Sequence, residues 1–116
     1  MARDTESGAQ AAQDLTRNLT LLTDLYQLTM MSGYLKNGKQ NDLAVFDLFF
    51  RRNSVITYSV AAGLEQALAY IRGIRFTEED LAYLRSLRLF DEEFLAYLKG
   101  FRFTGDVYAV PEGTVV

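Results

Sequence analysis

Runs of leucine and other apolar side chains at helical spacing predict four helices along this chain. The first run predicts a helix over residues 24–37, with Thr23 as its N-cap and Gly38 as its C-terminal cap. The second run predicts a helix over residues 60–72 that is ended by Gly73. Both patterns place apolar side chains on one face of the helix, which is typical of helices packed on a core.

Two further helices are predicted to begin at clusters of acidic residues. Thr77 is followed three residues later by Asp80, which is the spacing of a capping box. The acids at residues 91–93 open a last short helix that ends at Gly100. The side chains that this helix turns inward are expected to be Phe94, Leu95 and Leu98. Because acids in the first turn complement the helix dipole, we interpret both clusters as structural and not as catalytic carboxylate pairs.

Two segments have the patterns of β-strands. Residues 43–50 (LAVFDLFF) are apolar on both faces, which predicts a central strand buried on both sides. Residues 103–110 alternate loosely and predict a second strand, followed by a turn at residues 111–113 and the start of another strand at residues 114–116. The predicted fold class is therefore α+β, with a small sheet that contains the first two segments and with helices packed on it.

Residues 1–20 are predicted to form a flexible polar tail, and residues 21–116 a single domain. The tail has no apolar run of signal-peptide length, and no stretch of the sequence approaches the ~18 apolar residues that cross a membrane. We therefore expect a cytoplasmic protein that does not bind membranes. A net charge of −3, from 12 basic and 15 acidic side chains, argues against a nucleic-acid surface.

The composition excludes several kinds of chemistry from this chain. It contains no Cys and no His, so it offers no thiolate zinc site, no cysteine nucleophile and no histidine acid or base. The serines consequently lack a histidine partner, and neither GxxxxGK[ST] nor GxGxxG occurs. We assign no catalytic residue and no metal ligand. A reaction here would use carboxylates, tyrosines or arginines, or groups supplied from elsewhere.

A hydroxyl, a carboxylate, a phenol and an amide are gathered at the N-terminus of the first predicted helix, in the stretch TDLYQ (residues 23–27). Free backbone N–H groups point outward at such a terminus, and Tyr26 offers a flat face for stacking on an aromatic ligand. The alternative is that Tyr26 packs in the core, as aromatic side chains on amphipathic helices often do.

Arg51 and Arg52 directly follow the predicted strand at residues 43–50. Ligands of open α/β sheets bind at the carboxyl ends of strands, and a guanidinium there holds a phosphate through two parallel hydrogen bonds. The alternative is a pair of solvated charges at the exit of a strand.

Several stretches, in the same order, resemble the N-terminal part of bacterial nicotinate phosphoribosyltransferases. The resemblance covers nearly all of the chain from residue 20 onward and is independent of composition and periodicity. Its blocks are LLTDLYQLTM (residues 21–30), FDLFFRRN (46–53), VAAGLEQAL (60–68), FTEEDLAYLRS (76–86), FDEEFLAYL (90–98) and FRFTGDVYAVPEGTVV (101–116).

The resemblance implies an enzyme that joins nicotinate to 5-phosphoribosyl 1-pyrophosphate. The products would be nicotinate mononucleotide and pyrophosphate, in the salvage route to NAD. It also implies Mg²⁺ and ATP, with ATP hydrolysis coupled through a phosphorylated histidine. The fold it implies is the N-terminal α/β domain of a type II phosphoribosyltransferase, with the catalytic barrel absent from this chain.

The resemblance also implies roles for individual residues. The family works as a homodimer in which both subunits build each site. Tyr26 matches the tyrosine that lines the nicotinate ring from the neighbouring subunit, and Arg51 matches the arginine that contacts a phosphate of the phosphoribosyl donor. Asp24 and Arg52 are expected to lie beside these contacts.

The sequence departs from the family in length and in the absence of histidine, and residues 53–58 lack the Pro and Gly that are common there. Three hypotheses follow. The chain is a truncated piece of such an enzyme, or a stand-alone dimerisation or binding module, or part of a related phosphoribosyltransferase that acts on nicotinamide or quinolinate. Without the barrel, Phe46, Phe49 or Phe50 should be exposed, and the isolated chain should be oligomeric or poorly soluble and inactive.

Overall fold

The computed structural model describes residues 18–51 and 54–116. This part of the chain contains four α-helices, which are α1 (Leu25–Lys36), α2 (Leu64–Gly73), α3 (Glu78–Ser86) and α4 (Glu92–Lys99). The four predicted helices are confirmed, with differences at their ends. Most of the predicted tail, up to residue 17, lies outside the described residues. No helix in the described ranges is long and apolar enough to cross a membrane.

The core lies between α3, α4 and the inner face of α1. The three residues predicted to turn inward from α4 are each at most 1% exposed, which confirms that prediction. The buried apolar side chains are Leu28, Phe76, Leu81, Leu84, Phe94, Leu95 and Leu98. α2 adds no residue to this set. Since burial of one such side chain contributes about 1.5–3 kcal/mol, the α3–α4 hairpin is the most strongly held part of the domain.

Side-chain caps fix where α3 and α4 begin. The Thr77 hydroxyl accepts a hydrogen bond from the Asp80 N–H at 3.2 Å, and the Asp80 carboxylate accepts one from the Thr77 N–H at 2.8 Å. This reciprocal pair confirms the predicted capping box. At α4 the Asp91 carboxylate accepts from the Phe94 N–H at 3.0 Å.

Two predicted helix starts are wrong, each for a local reason. The N-cap of α1 is Asp24 and not Thr23, because Asp24 still has extended backbone and the Thr23 N–H is used in a turn to the Leu21 carbonyl. α2 begins at Leu64 and not at residue 60. Gly63 has a φ of +97°, a left-handed conformation that cannot continue into a helix.

The predicted strands at residues 43–50 and 103–110 are not formed among the described residues. The only β-pairing among the described residues lies elsewhere, in an isolated antiparallel bridge between Val60 and Val115. Two hydrogen bonds of 2.9 Å between Ser59 and Val116 flank this bridge. The prediction of a strand start at residues 114–116 is met by this one bridge.

The prediction of a central, buried strand at residues 43–50 is wrong for this structure. Its apolar side chains are exposed on both predicted faces, with Phe46 at 91% on one and Val45 at 93% on the other. A strand needs neighbours for its N–H and C=O groups, and no other described segment pairs with this one. The α+β class is therefore not confirmed, and the described ranges are helical.

Candidate functional site

Tyr26 lies in the first turn of α1, on the side of the helix that faces away from the core. Leu28 and Ser32 are buried on the inner side and fix the rotation of the helix. Tyr26 is 59% exposed, and in the described part of the chain its hydroxyl makes no hydrogen bond. The interpretation of Tyr26 as a core side chain is therefore wrong, and its ring is open to a ligand or to another chain.

A polar network holds the segment before α1 and so positions the helix start. The Thr20 side chain is buried and accepts a hydrogen bond from the Arg75 N–H at 3.1 Å. The Asn18 amide donates to the Asp80 carboxylate at 2.9 Å, and its carbonyl accepts from the Thr20 hydroxyl at 2.7 Å. These bonds tie the entry into α1 to the start of α3.

Asp24 is the N-cap of α1 by backbone conformation, yet its carboxylate makes no capping hydrogen bond. Only its backbone carbonyl is used, as the acceptor of the Gln27 N–H at 3.1 Å. The first turn of α1 contains no acidic residue. Asp24 thus presents a carboxylate close to Tyr26 along the chain.

Arg51 directly follows residues 43–50, has no regular secondary structure and is exposed. Some other basic side chains form ion pairs, such as Lys36 with Asp91 at 2.9 Å and Lys99 with Glu78 at 2.6 Å. Within residues 18–51 and 54–116, no ion pair or hydrogen bond involves the Arg51 guanidinium. Arg52 lies outside the described residues. Arg51 is therefore a cation with capacity for an anionic ligand.

The structure places the predicted site residues in two groups. Asp24 and Tyr26 lie at the N-terminal end of α1, while Arg51 lies in a separate segment without regular secondary structure. Among the described residues, no hydrogen bond, ion pair or ring contact joins the two groups.

Sequence reasoning missed an exposed apolar stripe along the outer side of α1. It consists of Tyr26, Met30 and Tyr34, each at least 47% exposed. The four-residue spacing is visible in the sequence, and it places all three on one side of the helix. Tyr26 is thus part of a larger apolar surface.

Sequence reasoning also missed the contact between Glu112 and the start of α2. The turn at residues 111–113 was predicted and is confirmed, but the Glu112 carboxylate also accepts hydrogen bonds from the Gly63 N–H at 2.7 Å and the Leu64 N–H at 2.9 Å. These two backbone donors lower the pKa of Glu112 below its ordinary value of 4.5. Glu112 is 49 positions from Gly63 and 48 from Leu64, so no local sequence pattern signals this contact.

A shallow cavity of about 400 Å³ lies beside this contact. It is lined by Leu64, Glu65, Gln66, Leu68, Arg72 and Glu112. Because Glu112 already fills the backbone donors of the helix start, its carboxylate acts as a structural clamp there. Within the described ranges, no group of three or more acidic side chains is arranged to hold a metal ion.

Comparison with known proteins identifies the family. The sequence profile of the nicotinate phosphoribosyltransferase N-terminal domain matches residues 21–116. The chain belongs to the nicotinate phosphoribosyltransferase family.

Three curated relatives show the extent of the match. The chain is 47% identical over 97 residues to the nicotinate phosphoribosyltransferase pncB2 of Mycobacterium tuberculosis, covering 83% of this chain and 21% of the relative. It is 43% identical over 100 residues to the Bacillus subtilis enzyme, covering 85% and 20%. It is 38% identical over 120 residues to nicotinate phosphoribosyltransferase 2 of Arabidopsis thaliana, covering 96% and 22%. The chain thus spans about a fifth of their length. No solved structure gives a significant match.

Proposed function

We propose that this chain acts as the N-terminal domain of an enzyme that joins nicotinate to 5-phosphoribosyl 1-pyrophosphate. The proposed products are nicotinate mononucleotide and pyrophosphate, and the proposed setting of the reaction is NAD salvage in the cytoplasm. The observation that carries the proposal is the family match over residues 21–116. Mg²⁺ and ATP belong to the proposal as substrates or cofactors of the whole enzyme, and the phosphorylated histidine comes from outside this chain, which has no His.

Tyr26 is proposed to hold the nicotinate ring of the neighbouring subunit in a homodimer. Support comes from its exposed ring on the outer side of α1. A phenol ring stacks on a flat pyridine and keeps its hydroxyl in water, so it fixes the orientation of the base. Asp24, two residues earlier, is proposed to lie beside this contact.

Arg51 is proposed to hold a phosphate of the phosphoribosyl donor. It has no anionic partner within the described residues, which supports this role. A guanidinium makes two parallel hydrogen bonds to a phosphate, and its charge does not depend on pH in the working range. Arg52 is proposed to add positive charge next to it.

These roles suit the chemistry of the transfer. The sugar carbon acquires oxocarbenium character while pyrophosphate leaves with negative charge, so the reaction requires positioning and charge stabilisation. Tyr26 positions the base and Arg51 stabilises the anion, and neither transfers a proton. The barrel that completes the site, and the α+β architecture of the assembled domain, belong to the whole enzyme.

The proposal is tested in a chimera in which this chain replaces the matched region of the Mycobacterium tuberculosis relative. Tyr26→Ala should raise the KM for nicotinate by about 2- to 12-fold, from ~0.5–1.5 kcal/mol of lost stacking, with little effect on the donor. Tyr26→Phe keeps the ring and is the matched control. Arg51→Ala should raise the KM for the donor by about 12- to 160-fold, from ~1.5–3 kcal/mol, and Arg51→Lys should restore only part.

A site shared between subunits has a further consequence. The Tyr26→Ala chimera should be partly rescued by mixing with a chain that is defective only outside residues 21–116, because the heterodimer contains one intact site. Nicotinamide and quinolinate, tested as alternative bases, should be poor substrates. Equal effects of both substitutions on both substrates, together with no rescue, would contradict the proposed roles.

A further inference from the structure

Asp24 and Tyr26 lie on an exposed stretch of chain that is held at its two ends. No side chain of residues 21–27 is buried, whereas Thr20 before the stretch is 6% exposed and Leu28 after it is 5% exposed. Leu28 belongs to the apolar core, so hydrophobic contacts hold the C-terminal end of the stretch. The anchor at the N-terminal end is polar, because it is the side chain of Thr20.

The Thr20 hydroxyl is hydrogen-bonded in two directions. It accepts a bond from the Arg75 N–H at 3.1 Å and donates one to the side-chain carbonyl of Asn18 at 2.7 Å. Arg75 lies in the connection between α2 and α3, and the next residue, Phe76, is a member of the core. The bond from Arg75 joins positions that are 55 residues apart in the chain. Thr20 therefore attaches the start of the exposed stretch to a part of the chain that the core holds in place.

Short turns connect this anchor to the start of α1. Two backbone hydrogen bonds of 2.9 Å, donated by the Leu22 and Thr23 N–H groups, close turns that include or directly follow Thr20. Asp24 comes next as the N-cap of α1, and Tyr26 lies two residues further along. Core packing does not hold the Tyr26 ring itself, which is 59% exposed. The position of this ring therefore depends on the anchors on either side of it.

We propose that Thr20 is a positioning residue for Tyr26 and thereby sets how tightly the enzyme binds the nicotinate ring. This inference rests on the proposed function, in which Tyr26 stacks on the base. Thr20 is assigned no contact with a substrate, because its side chain is buried and its hydroxyl is already bonded to Arg75 and Asn18. A ring that is held in its binding orientation loses less conformational freedom when the base stacks on it, which strengthens binding.

The inference is tested in the chimera with the Mycobacterium tuberculosis relative. Thr20→Val keeps the size and the branching of the side chain and removes the hydroxyl. It should raise the KM for nicotinate by about 2- to 12-fold, the range that corresponds to one net hydrogen bond, and leave kcat and the KM for the donor unchanged. Thr20→Ser retains the hydroxyl and should keep the KM for nicotinate close to the parent value.

A loss of stability alone should not produce this pattern. Leu84→Val is the matched control, because Leu84 is a core side chain of α3 that is 1% exposed and lies outside the hydrogen-bond network of Thr20. Removing one buried methylene group lowers the melting temperature of the domain. Assayed well below that temperature, Leu84→Val should leave both Michaelis constants unchanged.

A double-mutant cycle shows whether Thr20 acts through Tyr26. In the Tyr26→Ala background no ring remains to be positioned, so Thr20→Val should have no further effect on the KM for nicotinate. In the Tyr26→Phe background the ring remains, and the full effect of Thr20→Val should persist. Asn18→Ala removes the acceptor of the Thr20 hydroxyl and should have the same effect with a smaller size. Because Asn18 is exposed, this variant tests the network even if Thr20→Val does not fold.

The inference alone is overturned if Tyr26→Ala raises the KM for nicotinate while Thr20→Val and Asn18→Ala leave it unchanged. It is also overturned if Thr20→Val has the same effect with and without the Tyr26 ring, or if Leu84→Val reproduces that effect. An unchanged KM for nicotinate in Tyr26→Ala contradicts the proposed role of Tyr26, and the inference then falls with it.

Discussion

At the scale of single residues, Leu98 and Leu48 show how strongly position decides what one side chain contributes. Leu98 is a fully buried residue of α4, whereas Leu48, in residues 43–50, is fully exposed. In the isolated chain, Leu98→Ala should lower the free energy of unfolding by about 2–5 kcal/mol, through lost burial and the cavity left behind. Leu48→Ala should change it by less than about 0.5 kcal/mol.

Urea denaturation followed by circular dichroism measures both values in the same buffer. The contrast between the two leucines is the result that matters, because both substitutions remove the same atoms. Similar losses of stability in the two variants would mean that Leu48 is buried in the isolated chain in solution.

Glu112 gives a pH dependence whose sign follows from its contacts. Hydrogen bonds from the Gly63 and Leu64 N–H groups lower its pKa in the folded state. A lowered pKa means that the carboxylate stabilises the fold above its ordinary pKa of 4.5, and that this contribution is lost as the pH falls through the folded-state value. Glu112→Gln should therefore melt at a lower temperature than the parent at neutral pH.

The difference in melting temperature between the parent and Glu112→Gln should shrink as the pH is lowered through the acidic range. Lowered pKa values of Asp91 and Glu92 act on both proteins alike, so the difference isolates Glu112. A difference that stays constant from neutral to acidic pH would show that the Glu112 charge does not clamp the start of α2.

At the scale of elements, the capping box of α3 can be compared with the start of α1, where Thr23 is not the N-cap that the sequence predicted. Thr77 takes part in two reciprocal hydrogen bonds with Asp80, whereas the residue that caps α1 is Asp24 and not Thr23. Thr77→Ala should reduce the free energy of unfolding by ~1 kcal/mol, within the 0.5–2 kcal/mol usual for N-caps. Thr23→Ala, the matched control, should have an effect of less than about 0.5 kcal/mol.

Equilibrium denaturation of the two variants decides between the assignments. If Thr23→Ala destabilised the chain more than Thr77→Ala, the start of α1 would be the one predicted from the sequence, and the assignment of Asp24 as its N-cap would be wrong.

The elements also show which structure is readable from sequence. α3 and α4 were predicted almost completely, because capping residues and helical spacing act within a few residues of one another. The lack of a strand partner for residues 43–50 among the described residues and the contact of Glu112 with Gly63 were not predictable, since both depend on chain segments that are far apart in sequence. The sequence identified Tyr26 as a candidate site residue. Its exposure could be predicted only once the buried face of α1 was known.

At the scale of the whole molecule, exposed apolar side chains dominate the expected behaviour of the isolated chain. Phe46 and Phe49 are 91% and 76% exposed, and the outer stripe of α1 adds a second apolar surface. Surfaces of this kind drive association. Sedimentation velocity should show broad, concentration-dependent oligomers without a closed dimer, and Phe46→Asp with Phe49→Asp should reduce them.

The outcome that contradicts this expectation is a monodisperse monomer by ultracentrifugation that melts cooperatively in calorimetry. Such a result would mean that the apolar side chains of residues 43–50 are buried against other parts of this chain. It would favour a stand-alone module over a domain that functions with the rest of a nicotinate phosphoribosyltransferase.

We expect this chain to supply the N-terminal domain of a nicotinate phosphoribosyltransferase and to depend on the rest of that enzyme for activity. The most direct measurement is nicotinate mononucleotide formation from nicotinate, 5-phosphoribosyl 1-pyrophosphate, Mg²⁺ and ATP, by the purified isolated chain and by its chimera with the Mycobacterium tuberculosis relative. We predict turnover by the chimera and none above background by the isolated chain. Clear turnover by the isolated chain, or a folded chimera that binds neither substrate, would contradict it.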